Sequence, residues 1–418
     1  MFKFIHTADI HLDSPLKGLE AHEDAPVDEI RGATRRAFDN LINLALDEEV
    51  NFILIAGDLY DGDWKDYNTG LFFVNRMGRL QKAGIKVFIV SGNHDAAGRI
   101  TKSMPIPDNV KIFSHSKVQA ISLDELGVII HGRSYTGRAV TDNLAAKFPR
   151  RDEGYFNIGL LHTSLTGRAG HEDYAPCSLD DLKSKGYDYW ALGHVHQREI
   201  VAQDPWIVFP GNIQGRHIRE TGPKGATLVT VDDAHLVEVA HYDLDVLRWE
   251  DCHVDLSTCE TTEAVYNHVR SAMEDTQSMA EDKTLAIRLH LEGSSPLHGQ
   301  LLAQPGQWTE EFRGIGAALG NLWLEKVKFK TKRQFSSEEI SDETTPLAGL
   351  MHTIENLKLA DSELTELIPE LANLKNKIPV TLLDTNSVLD NDPEKLAQLL
   401  PEVKEMLIAK LIKHGAGR

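Results

Sequence analysis

Seven side chains in this 418-residue chain are of types that bind divalent metal ions, and an eighth could donate a proton. They fall in five short polar clusters, in the order Asp-x-His, Gly-Asp, Gly-Asn-His-Asp, a single His, and Gly-His-x-His. Carboxylate and amide oxygens mixed with imidazole nitrogens suit two divalent transition-metal ions that share a carboxylate. The candidate ligands are Asp9, His11, Asp58, Asn93, His162, His194 and His196, and the candidate proton donor is His94.

Two cations about 4 Å apart address both difficulties of phosphodiester hydrolysis, the repulsion of the nucleophile and the poor alkoxide leaving group. They lower the pKa of a shared water, hold the nonbridging oxygens and stabilise the charge that develops during in-line displacement. The expected arrangement is Asp58 as the bridge, Asp9, His11 and His196 on the first ion, and Asn93, His162 and His194 on the second. The clusters therefore predict a two-metal phosphoesterase.

His94 lies beside a predicted ligand rather than being one. A histidine near a phosphate can protonate the departing oxygen at neutral pH, so we predict that His94 is the general acid. Asp95 could orient His94 through its other ring nitrogen. A role for Asp95 in a surface turn is equally consistent with the sequence.

Each cluster follows a short apolar run that is typical of a buried strand, and side chains at the carboxyl ends of neighbouring strands converge. The predicted strands are Lys3–Thr7, Phe52–Ala56, Val87–Val90, Ile158–Leu161 and Trp190–Leu192. Helical patterns over residues 31–48 and 68–83 alternate with them, and strand patterns follow at 206–209, 226–231 and 236–242. This alternation predicts an α/β catalytic domain over residues 1–250.

Two further regions follow the predicted catalytic domain. Residues 251–335 show period-two patterns over Thr284–Leu291 and Leu322–Phe329, which predicts a small α+β accessory domain. Residues 336–418 begin acidic and carry leucines at helical spacing, and their last helix is predicted to start near Asp392 and to end before Gly415. Leucine faces in this region would dock on a partner or a second copy, or would pack on each other in a local bundle.

The net charge of −19 argues against a broad basic surface that holds nucleic acid by counterion release alone. A nucleic-acid substrate is still compatible with it, because two divalent ions would offset about four charges at the site. Basic residues also follow the last cluster, and they suit either phosphate contact or an ordinary solvated loop. They are Arg198, Arg216, Arg219 and Lys224.

The compartment is predicted from the start of the chain and from its apolar content. Residues 1–7 lead directly into the first cluster, and no apolar stretch approaches the roughly 20 residues that span a bilayer. We therefore expect a cytoplasmic protein without a membrane segment. Three scattered cysteines, Cys177, Cys252 and Cys259, predict packing rather than a disulfide framework or a thiolate zinc site.

In this order, the clusters resemble the calcineurin-like metallophosphoesterases over approximately residues 1–245. Within that family, the runs at 8–14, 57–60 and 209–212 are similar to the SbcD-type DNA repair exonucleases. The runs Tyr174–Ser178 and Gln214–Gly222 resemble the YhaO-like branch more closely.

The resemblance implies a four-layer α/β/β/α core, two manganese ions at the seven ligands, catalysis by His94 and processing of DNA ends. It also implies a small capping domain. A C-terminal helical segment in residues 336–418 would dock on an SMC-like ATPase with long coiled-coil arms. Relatives of this architecture often form homodimers through the catalytic domain.

One position departs from the SbcD-type pattern. Those nucleases usually carry a histidine three residues after the bridging aspartate, whereas this chain has Asp61 there, as many phosphatases of the superfamily do. A carboxylate repels a phosphate where an imidazole could donate to it. Substrate, cleavage rate or polarity are therefore expected to differ from those of these relatives.

Three hypotheses on function follow from these features. The first is a manganese-dependent DNA exonuclease or endonuclease in repair, in which Arg216, His217 and Arg219 contact the sugar-phosphate backbone. The second is a phosphatase or cyclic-nucleotide phosphodiesterase, which Asp61 and the acidic charge favour. The third is a catalytically idle scaffold, against which the retained ligands argue. The roughly 170 residues after the catalytic domain favour the first, because a small substrate would not require them.

Overall fold

The computed structural model describes residues 1–14, 27–61, 67–95, 106–137, 140–165, 175–281 and 283–333, together with residue 403. The chain divides into two compact units, the first comprising Met1–Asp251, Met279–Ile287 and Asn321–Glu325 and the second the remaining residues. Apart from residue 403, the helices predicted within 336–418 lie outside the described residues. The domain boundaries at residues 250 and 335 stay predictions.

Helices and strands alternate through most of the described part of the chain. In chain order, the helices are α1 (Val27–Asp47), α2 (Asn68–Lys82), α3 (Leu179–Lys183), α4 (Thr262–Met279), α5 (His298–Ala303) and α6 (Pro305–Leu319). The strands are β1 (Phe2–Thr7), β2 (Phe52–Ala56), β3 (Lys86–Val90), β4 (Val110–Ile112), β5 (Gln119–Leu123), β6 (Val128–Arg133), β7 (Phe156–His162), β8 (Tyr189–Gly193), β9 (Glu199–Gln203), β10 (Trp206–Phe209), β11 (Gly225–Val231), β12 (Val237–Asp243), β13 (Leu247–Asp255), β14 (Thr284–Glu292), β15 (Ser294–Ser295), β16 (Leu322–Phe329) and β17 (Lys332–Arg333).

Two six-stranded sheets form the first unit. Sheet A has the order β12-β11-β1-β2-β3-β4, with β1 to β4 parallel and β11 and β12 antiparallel. Sheet B has the order β5-β6-β7-β8-β10-β9, with parallel strands inside and antiparallel edges. Strands β2, β7 and β8 are buried along their whole length, because a parallel sheet covered on both faces requires continuous apolar runs.

Three hydrophobic clusters show the order of the layers. Helices α1 and α2 pack on one face of sheet A, where Phe38 is fully buried. Between the sheets, Phe4 of sheet A meets Tyr189 of sheet B edge to face at 5.3 Å. On the other face of sheet B, Leu182 of α3 belongs to the same cluster as Trp190. The predicted α/β/β/α core is therefore confirmed.

The predicted strands that precede the polar clusters are all present, and both predicted helices are found. Gly84 has a φ of 77°, as expected of the left-handed residue that ends α2. Strands β4, β5, β6 and β9 were not predicted. Strands β4, β5 and β9 lie at sheet edges and are only partly buried, and the apolar run of β6 is interrupted by His131 and Gly132.

The second unit contains α5, α6 and most of α4. Trp308 and Phe312 of α6 pack against Tyr266 of α4, with ring centroids 5.3 and 6.2 Å apart. Strands β13, β14 and β16 form a three-stranded sheet in that order, so both period-two patterns are strands as predicted. None of the helices in the described part of the chain is long and apolar enough to cross a membrane. The three cysteines are buried and free.

A buried histidine joins the two sheets beneath the polar clusters. His6 of β1 is fully buried, and its Nε2 lies 3.1 Å from the carbonyl oxygen of Leu192 in β8. A carbonyl only accepts, so Nε2 carries the proton and Nδ1 accepts from the hydroxyl of Tyr189 at 3.0 Å. Burial lowers the pKa of His6 to about 3 and keeps the ring neutral. The neutral tautomer therefore satisfies both nitrogens and fixes sheet A on sheet B.

Replacing His6 with glutamine is expected to change how stability depends on pH. The pKa of His6 is about 3 when folded and near 6.5 when unfolded, so the unfolded chain binds the extra proton between these values. Stability then falls as pH falls through this window, by up to about 1.4 kcal/mol per pH unit. We expect the free energy of unfolding of His6→Gln to depend less steeply on pH between 6 and 4. Chemical denaturation across this range checks it.

The matched control is His115→Gln, which changes an exposed histidine and should retain the wild-type slope. At pH 7 the His6→Gln protein is expected to be less stable by about 1–3 kcal/mol, because a buried polar partner is lost. Identical slopes for the wild type and His6→Gln would contradict the assignment of a neutral, buried His6.

Candidate metal centre

Backbone hydrogen bonds align the loops that follow β1 and β2. The amide of Asp9 donates to the carbonyl of Gly57 at 3.0 Å, and the amide of His11 donates to the carbonyl of Asp58 at 3.0 Å. These bonds continue the parallel pairing of the two strands beyond their ends. As a result, the first three candidate ligands lie side by side at the carboxyl edge of sheet A.

Several of the candidate ligands adopt left-handed backbone conformations. The φ angles are 50° for Asp9, 45° for His11, 51° for Asp58 and 107° for His194. Such conformations cost on the order of 1–3 kcal/mol each in non-glycine residues and cluster at functional sites. Gly57, with a φ of 97°, also has no room for a side chain, since a Cβ there would lie 2.3 Å from Nδ1 of His162.

Three candidate ligands converge on one side of the site. His11 and His196 direct their Nε2 atoms at each other, 3.3 Å apart. Oδ2 of Asp9 accepts from the amide of His194 at 3.0 Å, whereas its buried Oδ1 makes no hydrogen bond among the described residues and lies 3.8 Å from Nε2 of His196. Two imidazole nitrogens and a carboxylate oxygen that face one point are the donor set of a transition-metal ion.

The other side of the site is built around His162, which is fully buried. Its Nδ1 donates to the carbonyl of Ala56 at 2.9 Å. Its Nε2 lies 3.0 Å from Oδ1 of Asn93 and 3.4 Å from Oδ2 of Asp58, and the ring of His194 is 5.3 Å away. Acceptor atoms that surround a single point require a cation there, either a proton or a metal ion.

The charges of the site show the same preference for a cation. Burial raises the pKa of Asp9. Burial would also raise the pKa of Asp58, but the charge and hydrogen bond of His162 outweigh it and hold that pKa well below its usual range. In the same way, burial opposes the charged form of His162, but Asp58 and Asp9 raise its pKa to about 9. The buried carboxylates thus stabilise positive charge between them.

The structure brings all seven predicted ligands into one site. Three overlapping groups of side chains have donor atoms within 4.8 Å of one another: Asp9, His11 and His196; His11, Asp58 and His94; and Asp9, Asp58 and His162. Asp58 belongs to two of these groups, which suits the predicted bridge. Three features fit a pair of divalent cations: the convergent donor atoms, the buried Oδ1 of Asp9 without a hydrogen bond among the described residues, and the lack of room for a side chain at Gly57.

A further group of possible donors lies in the second unit and comprises His253, His290 and Glu292. The two imidazoles stack at 4.5 Å and 13°, so their lone pairs do not point to a common centre. Glu292 is instead near His253 at 3.2 Å and Lys330 at 3.4 Å. We interpret this group as an ion-paired polar surface.

The carboxylate that contacts His94 differs from the one predicted. Nδ1 of His94 lies 2.5 Å from Oδ1 of Asp61, and this hydrogen bond raises the pKa of His94. Asp61 also accepts from the hydroxyl of Ser14 at 2.6 Å and lies 4.0 Å from Nη1 of Arg216. Asp61 therefore orients the imidazole, and its charge is offset by its neighbours.

Asp95 does not contact His94 among these bonds but binds backbone amides. Its carboxylate accepts from the backbone amides of Leu59 at 3.2 Å, Tyr60 at 2.8 Å and Gly92 at 3.1 Å. The prediction that Asp95 orients His94 is wrong, because both carboxylate oxygens are used to hold the loops after β2 and β3 together. The turn role left open by the sequence is the closer description.

Glu220 was not predicted as a site residue. It is 6% exposed, and its Oε1 lies 2.7 Å from Nδ1 of His196. Burial would raise its pKa, but His196 and Arg216 hold the pKa of Glu220 well below its usual range. The order of residues gives no sign of this contact, because Glu220 lies 24 residues after His196 and reaches it only through the fold of the segment between them.

The three predicted substrate-binding residues are placed differently from one another. The Arg216 side chain is 15% exposed and its Nη2 lies 3.1 Å from Oε1 of Glu220. His217 is 54% exposed, and Nδ1 of its ring accepts from the amide of Arg219, which is also exposed. Of the three, Arg216 is the one built into the site.

Gly92 offers a test of the site geometry. A Cβ at residue 92 would lie 2.3 Å from Oδ1 of Asp58, so Gly92→Ala must displace the predicted bridge. We expect its affinity for Mn²⁺ to fall at least about tenfold in equilibrium dialysis, because even indirect changes around metal ligands cost that much. Gly78→Ala in α2 is the matched control, since a Cβ there meets nothing within 4 Å. Wild-type affinity in Gly92→Ala would contradict the placement of Asp58.

Comparison with known proteins gives matches over both units. Residues 2–198 match the calcineurin-like phosphoesterase family, and residues 249–332 match the middle domain of metallophosphoesterase YhaO. The chain is 38% identical over 315 residues to the uncharacterized metallophosphoesterase YhaO of Bacillus subtilis (strain 168). The matched region covers 74% of this chain and 76% of that protein.

More distant relatives are two proteins named DNA double-strand break repair protein Mre11. The protein of Sulfurisphaera tokodaii is 28% identical, over a region that spans 54% of this chain and 59% of that protein. The protein of Sulfolobus acidocaldarius is 21% identical, over a region that spans 90% of this chain and 100% of that protein. The chain belongs to the calcineurin-like metallophosphoesterase family and to its YhaO-like branch.

Proposed function

We propose that this metallophosphoesterase is a two-metal phosphodiester hydrolase that processes DNA ends, with Mn²⁺ as its ion. The observation that carries the proposal is the position of His94. Its side chain is 41% exposed beside ligands that are buried or half-buried, and Asp61 holds its Nδ1. An oriented imidazole at the open side of a cation site is the arrangement that an extended phosphodiester can reach.

The proposed ions would be held by the seven residues predicted from the sequence, with Asp58 between them. When bound, two such ions supply Lewis-acid chemistry, which activates water and neutralises charge on a phosphoryl group. The chain itself supplies rigid donors, because Ala56 fixes the ring of His162 and the amide of His194 fixes Asp9. Preorganised donors need no rearrangement when substrate arrives.

His94 is the proposed proton donor. Because Asp61 engages Nδ1, Nε2 is the nitrogen that gives a proton to the departing alkoxide oxygen. The charge of Asp61 also stabilises the imidazolium before the transfer. His94 ends the step neutral and regains its proton from solvent, which its exposed edge permits.

DNA as substrate is supported by the relatives. The similarity to the Sulfolobus acidocaldarius repair protein extends over its whole length, and therefore beyond a phosphoesterase core alone. We propose that the exposed His217 and Arg219 contact the sugar-phosphate backbone, a grip that carries no sequence information. Arg216 would present its guanidinium from inside the site.

A small-substrate phosphatase or cyclic-nucleotide phosphodiesterase is the second candidate, favoured by Asp61 in place of a histidine. Its support is reduced by the contacts of Asp61, since Ser14, His94 and Arg216 surround the carboxylate. Repulsion of a phosphate is correspondingly weaker than the residue type alone suggests.

Partners are part of the same proposal. We propose that residues 336–418 dock on an SMC-like ATPase with coiled-coil arms, and that the catalytic units form a homodimer. Light scattering of the purified chain, alone and after deletion of residues 336–418, tests the second point. A dimer that survives the deletion supports a dimer interface outside that region, whereas a monomer in both forms opposes a homodimer.

Digestion of end-labelled linear DNA duplex with Mn²⁺ is the direct test. We expect shortening that EDTA abolishes and that His94→Ala slows by about 10²–10⁴-fold, the usual contribution of a general acid. Asp61→Asn should slow it less, since the imidazole keeps its place but loses a charged partner. His115→Ala serves as the control, because it removes an exposed histidine that is not among the candidate site residues.

The competing function is separated by assays on three other substrates: an aryl phosphodiester, an aryl phosphate monoester and a cyclic nucleotide. Hydrolysis of a monoester or cyclic nucleotide by a protein that leaves linear and circular DNA intact would overturn the DNA proposal. Cleavage of linear but not circular duplex identifies action at ends.

A further inference from the structure

A run of polar and charged side chains connects His94 to His196. Nδ1 of His94 lies 2.5 Å from the carboxylate of Asp61, which in turn lies 4.0 Å from Nη1 of Arg216. On its other side, Nη2 of Arg216 lies 3.1 Å from the carboxylate of Glu220. Glu220 lies 2.7 Å from Nδ1 of His196. One guanidinium therefore stands between two carboxylates, each of which holds an imidazole.

Glu220 is the fixed point of this run. Besides His196 and the Arg216 guanidinium, its Oε2 accepts from the amide of Arg216 at 2.8 Å and from Nδ2 of Asn212 at 3.0 Å. A buried carboxylate with this many donors holds its position firmly. The loop is also closed around it, since a Cβ at Gly215 would lie 2.7 Å from the carbonyl oxygen of Glu220.

The contact with His196 has a consequence for the ring. The carboxylate of Glu220 only accepts, so the proton of this 2.7 Å contact lies on Nδ1, and the lone pair is left on Nε2. The guanidinium of Arg216 lies farther from Nδ1, with its Nη2 at 3.4 Å. Nε2 of His196 faces His11 and Asp9. Glu220 thus selects the tautomer of His196 that can bind a cation on the correct side.

Arginine is the residue type that this bridge requires. Its planar guanidinium offers several donors in fixed directions, so one side chain can face two carboxylates at once. A lysine carries a single point of charge and cannot reach both in the same geometry. Since Asp61 follows β2 in sheet A and Glu220 follows β10 in sheet B, the bridge ties the proton-donor half of the site to the cation-binding half.

We propose that Glu220 and Arg216 are a pair of positioning residues that couple the tautomer of His196 to the orientation of His94 through Asp61. The inference rests on the proposed function and adds to it. Arg216 acts through the carboxylates of Asp61 and Glu220 as well as on a phosphate. Glu220 acts without contact to substrate. Loss of Glu220 should therefore weaken both cation binding and catalysis. Loss of Arg216 should weaken catalysis far more than it weakens cation binding.

Titration of the full chain with Mn²⁺ by calorimetry separates the two roles. For Glu220→Gln we expect affinity at one of two sites to fall about 10–100-fold, which is typical for loss of a carboxylate behind a histidine ligand. For Arg216→Gln we expect affinity within about threefold of wild type. Aryl phosphodiester hydrolysis at saturating Mn²⁺ should show kcat lowered in both variants.

Coupling is measured by a double-mutant cycle on kcat/KM. If the pair acts as a unit, Glu220→Gln/Arg216→Gln should lose no more than about the larger of the two single effects. Arg216→Lys should recover little of the lost kcat, because charge alone does not restore the bridge. Full recovery by lysine, or additive single effects, would overturn the coupling.

Asp245→Asn is the matched control for loss of a buried carboxylate. Asp245 is 2% exposed and pairs with Arg248 at 2.9 Å and Lys283 at 3.0 Å, so its removal tests stability without touching His196. We expect it to lower the thermal midpoint and leave Mn²⁺ affinity unchanged. If Glu220→Gln does not fold, Glu220→Asp keeps the charge, and its shorter reach should still weaken Mn²⁺ binding.

Unchanged Mn²⁺ affinity in a folded Glu220→Gln protein would refute the role of Glu220. This outcome is distinct from failure of the DNA proposal, because calorimetry and aryl phosphodiester hydrolysis do not involve DNA. A chain whose Mn²⁺ affinity depends on Glu220 but that leaves DNA intact would keep the present inference and change only the substrate.

Discussion

Two buried carboxylates that face each other at the edge of one sheet are the constraint on which the site depends. Asp9 and Asp58 are 1% and 2% exposed, and like charges in such a place repel strongly. His162 supplies one compensating charge, and backbone amides supply further hydrogen bonds. The surrounding structure is organised to keep the carboxylates close and to leave Oδ1 of Asp9 for a cation.

The two-sheet architecture makes this closeness possible. Asp9, His11, Asp58 and Asn93 follow strands of sheet A, while His162, His194 and His196 end or follow strands of sheet B. The sheets are held together by an apolar layer and by the neutral His6, so their carboxyl edges stay in register. The left-handed backbone at Asp9 and Asp58 is tolerated because flanking hydrogen bonds leave the loops no alternative course.

Much of the fold could be predicted because buried parallel strands have continuous apolar runs, and polar clusters follow them directly. The gathering of seven ligands followed from strand ends alone. The contacts of Asp61 and Glu220 could not be assigned, and Asp95 was left between two roles, since each contact depends on how a loop folds back. Asp95 and Asp61 lie at similar distances along the chain from a ligand, yet one binds amides and the other an imidazole. Partly exposed edge strands such as β9 carry no regular pattern.

The division of ligands between the two sheets affects how long the protein persists. A cation held by His11 on one side and His196 on the other would cross-link the sheets, so that neither could peel away without releasing it. Binding to the folded state alone stabilises a protein by RT ln(1 + [L]/Kd), about 2.7 kcal/mol at a hundredfold excess over Kd. The supply of the ion in a cell would then govern the susceptibility of the chain to proteases, and hence its abundance as well as its chemistry.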